Sequence, residues 1–274
     1  MSFKLTQSWV FTNLVLFFYL GLSGCAAPAQ RLDDLALHLG YQRQVVTGKP
    51  WQHLIYRNHS TRQTSQLRVY LEGDGSPWLS RYQIAADPTA RNPLMLRLLQ
   101  QDPNPAIYLG RPCYHDLPQS APCPAQFWTS HRYSAQVIDS LVHALRHYLA
   151  STTYQKILLI GHSGGGTLAM LMAPKLPTQA VVTLAANLDI TAWAHYHHYS
   201  PLTGSLNPAQ QPALPTSIRQ WHWAGAEDRN VPPVLIPAAL RHQPQAEFRI
   251  VAGYTHHCCW ETDWAEWLQL LPSD

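Results

Sequence analysis

Charge is scarce in this 274-residue chain: only 13% of its residues are Asp, Glu, Lys or Arg. The formal net charge is +3, and no block of like charges occurs. Nucleic-acid binding needs a concentrated basic footprint, so no such partner is expected. Cysteine is also rare, at five, and no two are spaced Cys-x-x-Cys. That removes the usual thiolate zinc patterns. His115 lies near Cys113, but the pair alone makes no ligand set. Neither a metal nor a cofactor is expected. The chain has no repeat and no low-complexity tract, which excludes an array architecture. Hydrophobic residues, by contrast, make up 46%, and the 22 prolines gather between elements.

The N-terminus reads as a signal. Lys4 precedes an apolar run from Trp9 to Leu20, and Leu22-Ser23-Gly24-Cys25 follows. The run is short for a membrane span. The small residues sit where a peptidase would cut. The tetrapeptide resembles the lipobox of bacterial lipoproteins, which implies cleavage before Cys25 and lipidation of its thiol. An uncleaved anchor and a plain secretory signal are the alternatives. Ala27 stands where enterobacterial sorting would read an Asp. By that resemblance the expected location is the outer membrane, facing the periplasm, with the bilayer held through a lipid anchor. Residues 1–24 are then the signal, 25–42 a lipidated tether with a short helix, and 43–274 one domain, ample for a large core. With Cys25 set aside, Cys113, Cys123, Cys258 and Cys259 allow three pairings. Cys113 and Cys123 share one Pro-rich loop and could close it.

Strands and helices alternate through that domain. Strand candidates are 43–47, 52–57, 66–71, 106–109, 156–160, 180–184, 217–223 and 247–251. Helical periodicity marks 93–101, 129–150, 165–172, 232–241 and 260–271. Lys156 to Ile160 runs apolar from Ile157 onward, as a strand inside a parallel sheet does. Residues 190–215 interrupt the rhythm. They are rich in aromatics, His and Pro, and read as an inserted cap or substrate loop. The alternation argues for a doubly wound, mostly parallel α/β domain.

The strand ending at Ile160 runs straight into Gly161-His162-Ser163-Gly164-Gly165, and a helix pattern follows at once. This is the strand–turn–helix setting that Gly-x-Ser-x-Gly requires. A tight turn needs small residues two before and two after the Ser, and both are Gly. The helix start offers free N–H groups and a positive dipole end. A phosphate-binding corner is the rival, but it lacks a P-loop Lys. Over most of its mature length the chain resembles the α/β-hydrolase superfamily, with nucleophile, acid and His in the family's order. The resemblance implies Ser163 as nucleophile, with an oxyanion donor in the N–H of Gly164.

A Ser hydroxyl needs a base, and the base needs an acceptor behind it. Asp228 lies in Gly225-Ala226-Glu227-Asp228-Arg229-Asn230-Val231-Pro232, which resembles the family's acid loop after a late strand. Glu227 and Asp189 are its rivals. The base falls in Gly253-Tyr254-Thr255-His256-His257-Cys258-Cys259-Trp260, between the last strand and the last helix. The resemblance favours His256, with His257 as the alternative. The remaining histidines, His195, His197 and His198 in the insert among them, carry no clear ligand spacing. His162 packs beside the turn.

By the same resemblance, the loop Glu72-Gly73-Asp74-Gly75-Ser76-Pro77 supplies the second oxyanion donor, from Asp74 or Gly75. It departs from the His-Gly-Gly form of many lipases, which leaves the choice of N–H open. Gly110 to Tyr114 could line the site, and Trp193, Tyr196 and Tyr199 could form a pocket or the insert's own core. The reading reached is an envelope-anchored serine hydrolase, acting on a small-molecule or lipid-like ester, thioester or amide. A non-catalytic binding lipoprotein on the same fold and an acyltransferase are the alternatives. Oligomeric state is not encoded in any feature found.

Overall fold

The computed structural model describes residues 26–272. The signal, the lipobox-like tetrapeptide and Cys25 lie outside them. In chain order the main elements are α1 (Pro28–His38), β1 (Gln42–Thr47), β2 (Gln52–Arg57), β3 (Gln66–Leu71), β4 (Trp78–Ser80), β5 (Gln83–Ile84), α2 (Leu94–Gln100), β6 (Ala106–Leu109), α3 (Ala135–Ala150), β7 (Lys156–His162), α4 (Gly164–Met172), β8 (Thr178–Leu184), α5 (Ile190–Tyr196), β9 (Arg219–Gly225), α6 (Ile236–Leu240), β10 (Ala246–Val251) and α7 (Trp260–Trp267).

Eight strands form one sheet in the order β1-β2-β6-β3-β7-β8-β9-β10. β2 pairs antiparallel with both β1 and β6. Every pairing from β6 through β3, β7, β8 and β9 to β10 is parallel. Helices cover both faces, as a parallel sheet requires. The alternation along β7 shows why. Ile157 and Leu159 join one core with α3 and α4, while Leu158 and Ile160 join a second core with α1, α2 and α7. A doubly wound α/β sheet is therefore what the strand pattern specifies.

Differences from the sequence reading sit at element ends. The long helix starts at Ala135, not near Thr129. Ser134 caps it by accepting the Val137 N–H at 3.3 Å, and such a cap fixes a helix start better than apolar periodicity. Ahead of it, Ala125–Trp128 is a short 3-10 turn. The segment expected helical from Pro232 splits into a 3-10 turn, Pro233–Leu235, and α6. Pro237 sits in the first turn of α6, where its missing N–H costs nothing. The last helix ends at Trp267, and tighter turns carry the chain to Leu270. The small β4–β5 hairpin had no signature, being only a few residues long. The helix expected after the tether is docked: Ala29, Leu32 and Ala36 are buried, and the Ala29 N–H donates to Asp87 at 3.0 Å.

One polar chain crosses the second core. Trp264 Nε1–H donates to the Tyr70 hydroxyl at 3.3 Å, and that hydroxyl donates to Asp102 at 2.6 Å. Arg68 pairs with the same carboxylate at 3.1 Å, and both ionic side chains are almost wholly buried. Removing one partner of such a pair strands the other charge in the core. Asp102→Ala is expected to lower the unfolding free energy by about 3–5 kcal/mol, read by urea denaturation. A loss of under about 1 kcal/mol, the size typical of exposed ion pairs, would contradict this account.

Candidate active site

The parallel register ends several strands at one edge. Leu71 of β3 lies beside Gly161 of β7, His162 beside Leu184 of β8, and Gly225 of β9 beside Val251 of β10. The loops that leave these ends carry every polar residue predicted for the site. In open α/β sheets ligands bind beyond the strands' carboxyl ends.

Ser163 joins β7 to α4 with φ 51° and ψ −122°, a conformation that a residue with a Cβ adopts at a cost of about 1–3 kcal/mol. The turn is too tight for side chains at its flanks. A Cβ on Gly161 would run into the backbone of Gly165, and one on Gly164 into Asp74 and Tyr133. The result lifts the Ser163 hydroxyl off the sheet edge, where it is partly exposed.

Three predicted residues meet there. His256 Nε2 lies 3.0 Å from Ser163 Oγ, and His256 Nδ1 lies 2.8 Å from Asp228 Oδ2. The Asp228 carboxylate accepts only, so Nδ1 carries the proton and Nε2 presents its lone pair to the Ser163 O–H. Asp228 is buried, and its other oxygen accepts the Asn230 and Val231 N–H groups at 2.8 Å each. That holds the carboxylate at one angle. His256 is buried, whereas His257 is exposed, meets neither Ser163 nor Asp228 among the described hydrogen bonds, and has its ring 4.8 Å from that of His256. Glu227 is exposed. Asp189 caps α5, accepting the Thr191 and Ala192 N–H groups. Neither rival acid meets His256 among the described hydrogen bonds.

The loop after β3 abuts the turn. A Cβ on Gly73 would lie 3.4 Å from Ser163 Cβ. Among the described residues, the N–H groups of Asp74, Gly75 and Gly164 donate no hydrogen bond. Gly164 opens α4, where N–H groups have no intrahelical acceptor. The insert packs alongside: Trp193 Nε1–H donates to the Asn230 carbonyl at 2.7 Å, and the His197 ring contacts the same oxygen at 2.8 Å. Trp193 also packs edge-on to Tyr199, so these aromatics form the insert's own cluster and brace the Asp228 loop. A cleft of about 680 Å³ opens beside that loop. Ala226 to Asn230, Thr255 and His256 line it.

No protein-family model matches the sequence, and no curated protein matches it. Solved structures do. A bacterial membrane phospholipase A superposes with a TM-score of 0.60 at 13% identity, over 96% of this chain and 97% of its own. A proline iminopeptidase from Mycobacterium smegmatis gives 0.59 at 12% identity, over 84% and 98%. An esterase from Pyrococcus furiosus gives 0.58 at 14% identity, over 90% and 93%. The fold is that of the α/β hydrolases.

On the α/β-hydrolase frame, several site residues had no sequence signal. Asp74 was read for its N–H alone, yet its carboxylate anchors the loop. It pairs with Arg111 and Arg132 at 2.8 Å each and accepts the Tyr133 hydroxyl at 2.6 Å. The Tyr114 hydroxyl donates to its carbonyl at 3.0 Å. Burial alone would raise the Asp74 carboxyl, but the charges of Arg132 and Arg111 and the Tyr133 bond outweigh it and hold it below the usual range. His162 is fully buried behind Ser163, its Nε2 2.7 Å from the His256 carbonyl. Burial first, then the neighbouring His256, lowers its affinity for a proton well below normal. It donates from neutral imidazole and fixes the backbone that carries His256. Both vicinal cysteines after His257 are joined to each other, and Cys113 is joined to Cys123.

Glu72 supports the same loop from below. Its carboxylate accepts the Gly73 N–H at 3.1 Å and the Met95 N–H at 3.0 Å. Burial dominates and pushes its pKa up to about 7 from 4.5, against those two bonds. A raised folded-state value means the fold favours the protonated form. Its contribution is full below pH 4.5 and is lost as pH rises to about 7. Relative to a Glu72→Gln variant, the natural protein should therefore lose on the order of 3 kcal/mol of stability across that window. Denaturant unfolding of both proteins at pH 4, 5.5 and 8 checks the sign, and a constant difference would exclude it.

Proposed function

We propose that this protein is a serine hydrolase that cleaves a carboxylic ester, or a related thioester or amide, through an acyl-enzyme on Ser163. One observation carries the reading: Ser163 Oγ, the His256 ring and the Asp228 carboxylate are joined in line at 3.0 and 2.8 Å. In this reading Ser163 Oγ attacks the acyl carbon while its proton passes to His256 Nε2. Asp228 stabilises the imidazolium that forms. The tetrahedral oxyanion is held by the N–H groups of Gly164 and Asp74, pre-aligned donors that need no reorganisation as charge develops. Collapse expels the leaving alcohol, thiol or amine, which takes the proton from His256. A water, deprotonated by the same ring, then releases the acid and restores Ser163.

The substrate is proposed to be lipid-like. Two of the structural neighbours, a phospholipase A and an esterase, support an acyl substrate. The lipobox-like Leu22-Ser23-Gly24-Cys25 supports lipidation at Cys25 and an envelope location beside membrane lipids. The bilayer would then be a standing partner of the protein.

Ser163→Ala is expected to abolish fluorophosphonate labelling and to cut short-chain ester turnover by about 10⁴-fold or more. His256→Ala should lose as much, whereas His257→Ala should stay within about tenfold of the natural rate, since it lacks both contacts. Retained labelling in Ser163→Ala would overturn the assignment. Equal losses in the two histidine variants would overturn the choice of base.

A further inference from the structure

Eleven large hydrophobic side chains are exposed among the described residues, and four of them fall on the β4–β5 hairpin. Trp78 is 44% exposed, Leu79 51%, Tyr82 86% and Ile84 40%. The only charge from Trp78 to Ile84 is Arg81. Its guanidinium lies 5.8 Å from the Tyr82 ring centroid.

The hairpin is a fixed projection. The Ser76 N–H donates to the Pro88 carbonyl at 2.8 Å and the Ala85 N–H to the Pro77 carbonyl at 2.9 Å. Trp128 Nε1–H holds the Ala85 carbonyl at 3.0 Å. The body grips both legs at the base and leaves the apolar side chains in water. Keeping such a cluster exposed forgoes the free energy that burying apolar surface would give. Exposed apolar side chains gathered on one short projection point to an interaction site.

Position indicates the occupant. Three residues beyond Ile84, Asp87 accepts the Ala29 N–H. The first described residues therefore meet the body at the foot of the hairpin, and the sequence just ahead of them holds the apolar run Trp9 to Leu20 and Cys25. The other foot, Ser76 and Pro77, continues directly from the Gly73–Gly75 loop beside Ser163. Chemistry agrees. Trp and Tyr favour the headgroup layer, where the ring is buried and the polar edge stays wet. Arg reaches lipid phosphate while its stem stays in apolar surroundings. The sole charge has the sign that anionic lipid attracts.

We propose that the hairpin Trp78–Ile84 seats in the interfacial layer of an anionic phospholipid bilayer. It orients the protein so that the Ser163 edge faces the lipid surface. The proposal rests on the anchor reading for the side of the molecule that meets lipid, and Ser163 chemistry plays no part in the binding itself.

The test places p-benzoylphenylalanine at Tyr82 of the full chain. The comparison site is Ile250, which is 53% exposed on the edge strand β10. Both proteins are reconstituted in phosphatidylglycerol–phosphatidylethanolamine vesicles, irradiated, and analysed by mass spectrometry for phospholipid adducts. The expected result is roughly tenfold or more adduct at position 82 than at 250, the contrast between an interfacial residue and one in water. Equal yields, no adduct at 82, or adducts only to a second copy of the chain or to another protein would overturn the proposal. Both sites are exposed, so the substitutions do not endanger the fold. A lipid adduct is read whether or not Ser163 turns over an ester, so failure here and failure of the hydrolase reading are separate results.

Discussion

Everything at the candidate site depends on parallel register. β3, β7, β8, β9 and β10 run the same way and finish close to one line. Their loops consequently leave from neighbouring points, although the residues they bring together are separated by as many as 182 positions, from Asp74 to His256. A slip of one residue in β7 would turn Ile160 to the opposite core and move Ser163 off the common edge. The two apolar cores therefore fix the geometry of a polar site that lies outside both. Burial of Leu158 and Ile160 on one face, and of Ile157 and Leu159 on the other, is what holds Ser163 opposite His256.

Around that edge, strain and support are paired. Ser163 is held in an unfavourable backbone region, and three polar groups, His162 and Glu72 buried and Asp74 half-buried, surround it. His162 ties down the His256 carbonyl, Glu72 ties down the Gly73 N–H, and Asp74 is clamped by two guanidiniums and a phenol. None of the three needs to touch a substrate to matter. Each removes freedom from a loop whose N–H or imidazole must be in place beforehand, which is where preorganised sites gain their advantage over water. The insert does the same for the Asp228 loop through Trp193 and Asn230.

What was legible in the sequence followed from short-range physics. A continuous apolar run gave β7, a short apolar-rich stretch gave β3, and Gly161 and Gly165 gave the turn, because a tight turn leaves no choice of residue. Asp228 and His256 were instead found by resemblance, each following a late strand in a loop like those in which the α/β hydrolases carry their acid and base. His256 over His257 rested on resemblance, and the distinguishing fact is burial, which depends on how the loop folds over His162. The Asp74 clamp was illegible. Arg111 comes from one stretch of irregular chain and Arg132 and Tyr133 from another, and no periodicity links an acid to bases 37 and 58 positions away. The helix start at Ala135 was missed for a related reason. Residues 129–133 are mostly polar and form turns, and Arg132 and Tyr133 among them serve the clamp and not the helix.

The docking of α1 limits how the body can tumble. Ala29 is fastened to Asp87, and it stands four positions after Cys25. Even fully extended, that stretch reaches only about 14 Å. Whatever holds position 25 therefore holds the whole domain on a leash shorter than the domain is wide. Much of the rotational search for a productive orientation at a surface would already be made by the chain itself.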